Sequence, residues 1–214
     1  MEGNKTGLKY RIQWITNIIK YGLFWHGVRN NLAKLGFDIM PYYLVREATE
    51  KFNPPEIRGD SKDFELSVFG EKEILYIKDT IIGIEQKDLI ADLKRGEVCF
   101  GLKHGENIAA YMFIKRKSFA FRKRQFNLKS NESYLHSMYT FEDYRGKNIA
   151  PFLRYHSYKY LEKEGVDTYL SISEYFNKST IRFKQKLKSR PLKLFLSMVF
   201  FKKWTLNFTL KTYK

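Results

Sequence analysis

Between Tyr134 and Ser173 the chain reads as strand, turn, helix and strand, and this unit restricts the fold more than any other stretch. Tyr134–Thr140 has the aromatic and β-branched content of a strand. Lys147–Glu164 is helical in pattern, with Ile149, Leu153, His156 and Tyr160 on one expected face. Gly165 is a good helix terminator, and Val166–Ser173 is again strand-like. A strand–helix–strand crossover within one sheet is right-handed, so these two strands are expected as parallel neighbours or near neighbours.

The flanking sequence fills in an α+β pattern. Arg11–Phe37 reads as helix, weakened or split at Gly22 and Gly27, and Tyr42–Val45 as a short strand. Lys51–Asp63, with Pro54-Pro55 and Gly59, reads as a linker. Phe64–Phe69 is a strand closed by Gly70, and Glu71–Lys78 and Glu85–Lys94 are short helices. Glu97–Leu102 and Ile108–Lys115 form a hairpin around a loop containing Gly105. The basic stretch up to Lys129 is either a strand edge or a loop. Asn177–Leu187 is a helix that Pro191 is expected to end, and Leu192–Phe201 and Lys203–Leu210 are apolar strands. The fold class is therefore α+β, a mixed central β-sheet flanked by helices with an N-terminal helical extension. Residues 1–63 are read as the extension and linker, and 64–214 as the main domain.

Composition narrows the function classes. Hydrophobic residues are 43% of 214 and aromatics 17%, enough to build a core, which excludes global disorder. No apolar run approaches the roughly 20 residues of a spanning helix, and Met1–Lys9 is polar, so neither an anchor nor a cleaved signal peptide is expected. A single cysteine, Cys99, excludes internal disulfides and cysteine-rich metal clusters and points to a reducing, cytoplasmic setting. No metal is expected. The formal charge of +16 is concentrated: Lys115–Lys129 holds seven basic residues, Tyr175–Lys214 holds 11, and neither stretch holds an acidic one. Such a field raises the local concentration of anions such as nucleic acid, an anionic membrane or a phosphate-bearing substrate, although a solubilising basic face has the same composition.

The chemistry concentrates in Thr140–Ala150. A strand ends at Thr140, and a helix begins near Asn148. A helix start presents unpaired N–H groups and the positive end of the dipole, so a glycine-containing turn feeding it suits a diphosphate. Gly146 allows close approach of the backbone, and Arg145 and Lys147 add charge. The same residues could form a plain turn with solvated side chains.

Arg145-Gly146-Lys147-Asn148-Ile149-Ala150 resembles the signature of the GNAT N-acetyltransferase superfamily, Arg/Gln-x-x-Gly-x-Gly/Ala after a strand and opening a helix. Arg145, Gly146 and Ala150 fit. Asn148 stands where the family usually has its central Gly, and Asn tolerates left-handed geometry better than most residues. The hairpin Val98–Ile114 resembles the family's second and third strands, Val166–Ser173 its fifth, and Asn177 the Asn that begins the following helix. The resemblance spans roughly Phe64–Leu210. No G-x-G-x-x-G, Walker A or H-E-x-x-H motif competes with it.

The resemblance implies acetyl-CoA as co-substrate and an amine acceptor. It places the pantetheine arm against the backbone of Met138, Tyr139 and Thr140, the pyrophosphate against Arg145, Gly146, Lys147, Asn148, Ile149 and Ala150, and Asn177 against the arm. The helix Lys178–Lys188 offers further charge to the phosphates. Candidate general bases are His136 and, at the start of the same strand, Glu132; a half-buried His satisfied by a neighbour is the competing reading of His136. Many relatives protonate the leaving thiolate with a Tyr seven residues after the Asn. In this chain that position is Lys184, so either Tyr175 or Lys184 substitutes or the thiolate, a tolerable leaving group, departs without help. His104, His156 and Cys99 read as structural.

Trp14, Phe24 and Trp25 among Lys20, Arg29 and Lys34 make the N-terminal segment either an interfacial membrane helix or one packed on the sheet or a second subunit of a homodimer. A basic helical segment followed by the hairpin Arg95–Ile114 is similar to acetyltransferases of bacterial surface-polysaccharide biosynthesis. That similarity implies a small-molecule amine acceptor, an amino sugar that is nucleotide- or lipid-linked and hence anionic, handled in the cytoplasm or at the inner face of the membrane. The alternative is a non-catalytic membrane or nucleic-acid binding module on a degenerate transferase scaffold; nucleic acid is the less expected partner.

Overall fold

The structure is a computed structural model and describes residues 24–81 and 88–214. The elements are α1 (Phe24–Lys34), β1 (Phe37–Glu47), β2 (Phe64–Phe69), α2 (Glu71–Thr80), α3 (Leu89–Lys94), β3 (Val98–His104), β4 (Asn107–Lys115), β5 (Phe119–Phe121), β6 (Arg124–Phe126), β7 (Glu132–Thr140), α4 (Ile149–Lys163), β8 (Thr168–Glu174), α5 (Lys178–Lys186), β9 (Arg190–Phe200) and β10 (Trp204–Thr212). Strands and helices alternate irregularly around β-sheet, which is the expected α+β class. Two compact units are present.

The first unit comprises Phe52–Lys117 and Leu128–Tyr169. Its strands run in the order β2-β3-β4-β7, each pair antiparallel. One sheet face buries Cys99, Tyr111 and Phe113 against Ile74 and Ile77 of α2 and Leu89 of α3. Phe69 lies so close to Gly101 that an added Cβ there would stand 2.0 Å from its ring, so this strand position accepts no side chain. On the other face α4 buries Leu153, Arg154, Ser157, Tyr158 and Leu161, with Tyr160 stacked on Phe100. The i, i+4, i+8 stripe is therefore turned from the expected one: His156 is only half-buried, and its place in the core goes to Ser157, whose hydroxyl donates to the Arg154 carbonyl.

The second unit takes residues 24–51, Ser118–Asn127 and Leu170–Lys214, with strand order β10-β9-β1-β8. β1 and β10 both pair antiparallel with β9. Met40, Tyr42 and Phe195 form its core, with Phe121 and Phe126 of the β5–β6 hairpin packed on them. Asp38 ties this arrangement together by accepting from Arg29 of α1 and Arg122 of the hairpin.

Several elements differ from expectation. The strand expected at Tyr42–Val45 runs from Phe37 to Glu47, because pairing with β9 extends it through Pro41. Helix α1 continues through Gly27; the part of the expected helix before residue 24, and the start of the one expected from Glu85, lie outside the described residues. The basic stretch after Lys115 contains the β5–β6 hairpin. Pro191 lies inside β9 opposite Val45, at a register shift, and α5 has already ended four residues before the strand begins. Among the described residues no helix is long and apolar enough to cross a membrane.

Candidate active site

Strand β7 carries an irregularity in the stretch that holds the candidate base. Tyr111 pairs with Tyr139 and Phe113 with His136, so Ser137 and Met138 together oppose Met112. This is a β-bulge, and Ser137 has φ +48 within it. Residues three apart on a regular strand face opposite sides; the bulge returns His136 and Tyr139 to one face, where their rings lie 5.9 Å from Phe113 and 6.1 Å from Tyr111.

His136 is held at both ring nitrogens. Nε2 lies 2.8 Å from Glu97 Oε2 and Nδ1 3.0 Å from Ser137 Oγ. A carboxylate can only accept, so the neutral ring carries its proton on Nε2 and leaves Nδ1 to accept from the Ser137 hydroxyl. Glu97 is buried, and its other oxygen lies 2.6 Å from Lys115 Nζ. Burial pushes the Glu97 carboxyl up, but His136 and Lys115 together outweigh burial and hold it below the usual carboxylate range. Tyr134 stacks on the imidazole at 5.1 Å. The half-buried, neighbour-satisfied histidine is what the structure holds. Glu132 sits at the opposite end of β7, eight residues and about 26 Å from Thr140. Its carboxylate accepts from the Lys129 backbone N–H at 3.0 Å and braces the turn into the strand.

Beyond Thr140 the chain makes a 3₁₀ turn over Glu142–Tyr144 and then enters α4. Arg145 Nε donates to the Thr140 carbonyl at 3.1 Å, and its guanidinium reaches the Tyr139 hydroxyl at 3.1 Å, folding the turn back on the strand end. Gly146 has φ +83 with no atom within 4 Å of where a Cβ would stand, so its backbone is open to an approaching group. Asn148 adopts φ 64, ψ 19, the left-handed conformation that Asn accepts in place of Gly. Its side chain donates to the Glu56 carbonyl at 2.7 Å, and Arg58 N–H donates to the Lys147 carbonyl at 2.9 Å, so the linker is pinned to the turn. From below, Tyr144 supports the Lys147 ammonium over its ring at 5.3 Å and meets His104 Nδ1 at 3.2 Å. Ile149 and Ala150 begin α4, and Pro151 occupies its first turn, where a missing N–H is tolerated. An open left-handed glycine, two cations and a helix start form a cradle that fits a diphosphate.

In the second unit Asn177 caps α5, its Oδ1 accepting from the Thr180 N–H at 3.1 Å. The cap occupies the oxygen of the side-chain amide. Tyr175 is exposed, its ring 5.5 Å from Tyr43 and its N–H bonded to the Pro41 carbonyl. Lys184 is 2% exposed, and Nζ donates to Ser171 Oγ at 2.7 Å, Ser173 Oγ at 2.8 Å and the Ile172 carbonyl at 3.1 Å. Glu47 Oε1 stands 3.5 Å from it and accepts from Ser171 Oγ. The ammonium protons are thus committed inside the fold.

Sequence reasoning missed Glu97, Ser137, Glu47 and the linker contact of Asn148. A buried carboxylate 39 residues from its histidine leaves no local pattern, whereas Glu97 could have been noticed as the one acid at the start of an otherwise apolar strand. His104 and Cys99 are structural as expected: His104 stacks on Phe64 at 4.4 Å, and Cys99 is fully buried with its thiol pushed up by burial. The pKa of His156, 4.4 Å from Phe152, is pushed down by burial. Among the described residues no group of three or more His, Cys, Asp or Glu is placed to hold a metal.

The profile of the acetyltransferase (GNAT) family matches residues 62–188, more than half of the chain, and the chain belongs to that family. Among solved structures it is similar to a GNAT-family acetyltransferase from Colwellia psychrerythraea (TM-score 0.56, 16% identity, 77% of this chain and 57% of that one). A GNAT-family acetyltransferase from Novosphingobium aromaticivorans gives TM-score 0.51 and 16% identity, over 77% of this chain and 66% of that one. A tandem GNAT protein of the clavulanic acid biosynthesis pathway gives 0.54 and 12%, over 79% and 54%. The chain thus spans between about half and two thirds of each of these structures. No curated protein matches it.

Proposed function

We propose that the chain transfers an acetyl group from acetyl-CoA to a primary amine of a small molecule, an amino sugar, free or nucleotide- or lipid-linked. The turn at Arg145–Asn148 carries this reading: an open Gly146 backbone, a left-handed Asn148 and two cations at the start of α4. In this reading Met138, Tyr139 and Thr140 bind the pantetheine arm through the backbone, Arg145 to Ala150 cradle the pyrophosphate, and the Asn177 amide steadies the arm. The surplus positive charge favours an anionic acceptor.

His136 acts as the base. Its Nδ1 is the basic nitrogen, and the Ser137 hydroxyl on it gives the amine proton a route inward, while Glu97 fixes the ring and favours the imidazolium that forms. The neutral amine attacks the thioester carbonyl, the new C–N bond forms as the C–S bond breaks, and thiolate leaves. Tyr175, exposed and phenolic, is the acid for that thiolate; Lys184 is unsuited because its protons are engaged in the core. Glu132 is set aside because it braces the far end of the strand.

A screen of amino sugars, free and nucleotide-linked, scored by release of CoA thiol tests the proposal. Turnover with at least one member that is lost in His136→Ala supports it. Acetyl-CoA binding without turnover of any amino sugar would overturn the acceptor class.

A further inference from the structure

The second unit presents a continuous apolar sheet face. By register, Phe37, Phe200 and Trp204 form one row across three strands, Ile39, Met198 and Leu206 the next, and Pro41, Leu196 and Phe208 the third. Directly paired residues share a face, and alternate residues along each strand return to it. The reverse face holds Met40, Tyr42 and Phe195, which the β5–β6 hairpin covers, and Asp38, which Arg29 of α1 reaches. The first face has no such cover among the described residues: Trp204 is 66% exposed, Leu206 48%, Phe208 46% and Phe37 43%. The area involved, on the order of 500 Å², is the size at which an exposed apolar patch marks an interaction site.

Charge selects the occupant. The turn Phe201-Lys202-Lys203 borders one end of the face; at the other, Lys211 lies over the Tyr213 ring, which neighbours Tyr43. From Tyr175 to Lys214 there are 11 basic residues and no acidic one. A second copy would bring two such rims together, which like-charge repulsion opposes. Residues 1–23 carry four basic residues and one acidic, so they also match the rim in sign rather than complement it. An anionic bilayer satisfies both halves of the pattern. The apolar rows enter the acyl boundary, Trp204 and the tyrosines suit the headgroup layer, and the lysines reach the phosphates.

We propose that this β1–β9–β10 face docks the protein on membranes that contain anionic lipid. The proposal stands apart from acyl transfer and is tested without it. The full chain is sedimented with vesicles of phosphatidylcholine alone and of phosphatidylcholine with phosphatidylglycerol. Binding to the anionic vesicles is expected, weakened about tenfold in high salt because the lysine contribution is screened. Leu206→Glu with Phe208→Glu is expected to cut binding at least about tenfold while retaining the circular dichroism spectrum, both sites being exposed. Should that pair misfold, Trp204→Glu, at the most exposed position of the face, makes the same test. Lys202→Glu with Lys203→Glu is expected to weaken binding with the apolar rows intact. The proposal is overturned if wild-type protein ignores anionic vesicles, if the apolar variants bind equally well, or if the wild type is a stable dimer in solution that those variants break.

Discussion

Replacing Glu47 by Gln removes the counter-charge of the most deeply buried ammonium among the described residues. Lys184 would keep Ser171, Ser173 and the Ile172 carbonyl as acceptors but lose the Glu47 carboxylate 3.5 Å from Nζ. Both side chains are almost completely buried, at 3% and 0% exposure, so water cannot replace the lost partner. Breaking one half of such a pair costs about 3 kcal/mol, which for a chain of this size lowers the melting temperature by about 6–12 °C. Lys184→Met alone is expected to cost a similar amount, because it takes the ammonium away from a buried carboxylate. The double variant Glu47→Gln with Lys184→Met, which removes both charges, is expected to recover part of the loss. Differential scanning calorimetry of the four proteins closes this cycle. Assayed well below its melting temperature, the double variant is also expected to keep kcat within about threefold of wild type, since Lys184 is placed in the core rather than at the reaction. A coupling near zero would refute the buried-pair reasoning. A kcat loss of about a hundredfold with melting restored would move the acid role from Tyr175 to Lys184.

Other named contacts carry their own expected outcomes. Gly101→Ala is expected to destabilise by about 3 kcal/mol or to misfold, since its Cβ would lie 2.0 Å from the Phe69 ring; a melting temperature unchanged by calorimetry would contradict the packing. Asn148→Gly keeps the left-handed turn and is expected to retain acetyl-CoA affinity within about threefold, whereas Asn148→Val, β-branched at φ 64, is expected to lose about tenfold in a calorimetric titration. The folded Glu97 carboxyl lies below its unfolded value, so its stabilisation is complete above that value, near pH 4.5, and disappears as pH falls through the folded one; urea midpoints measured downward from pH 5 should fall more steeply for wild type than for Glu97→Gln. Glu97→Gln is also expected to lower kcat/KM at least about tenfold by loosening His136, while Glu132→Gln leaves it unchanged.

Much of the fold was legible because its signals are local. The alternation of Phe64–Phe69, the hairpin around Gly105 and the helix start at Asn148 each sit within about ten residues, and each element lies within a few residues of its expected place. What escaped depends on distant partners. β1 grows to Glu47 because β9, some 150 residues later, supplies its ladder. The β5–β6 hairpin looks merely basic in sequence; its order comes from Phe119 stacked on Phe126 at 5.1 Å and from the Asp38 contact with Arg122. The left-handed turn was readable from Gly146 and Asn148, whose residue types report backbone geometry directly. The bulge at Ser137 was not, because Ser is a poor marker of positive φ, and with it went the arrangement of Glu97, His136 and Ser137.

The proposed function places acetyl-CoA recognition on the Arg145–Asn148 turn, and isothermal calorimetry with acetyl-CoA tests it most directly. Wild-type protein is expected to bind one equivalent saturably in the micromolar range, and Gly146→Val to weaken that binding at least about tenfold by closing the open backbone at φ +83. No heat of binding with wild type at millimolar acetyl-CoA, or identical binding by Gly146→Val, would contradict that role for the turn.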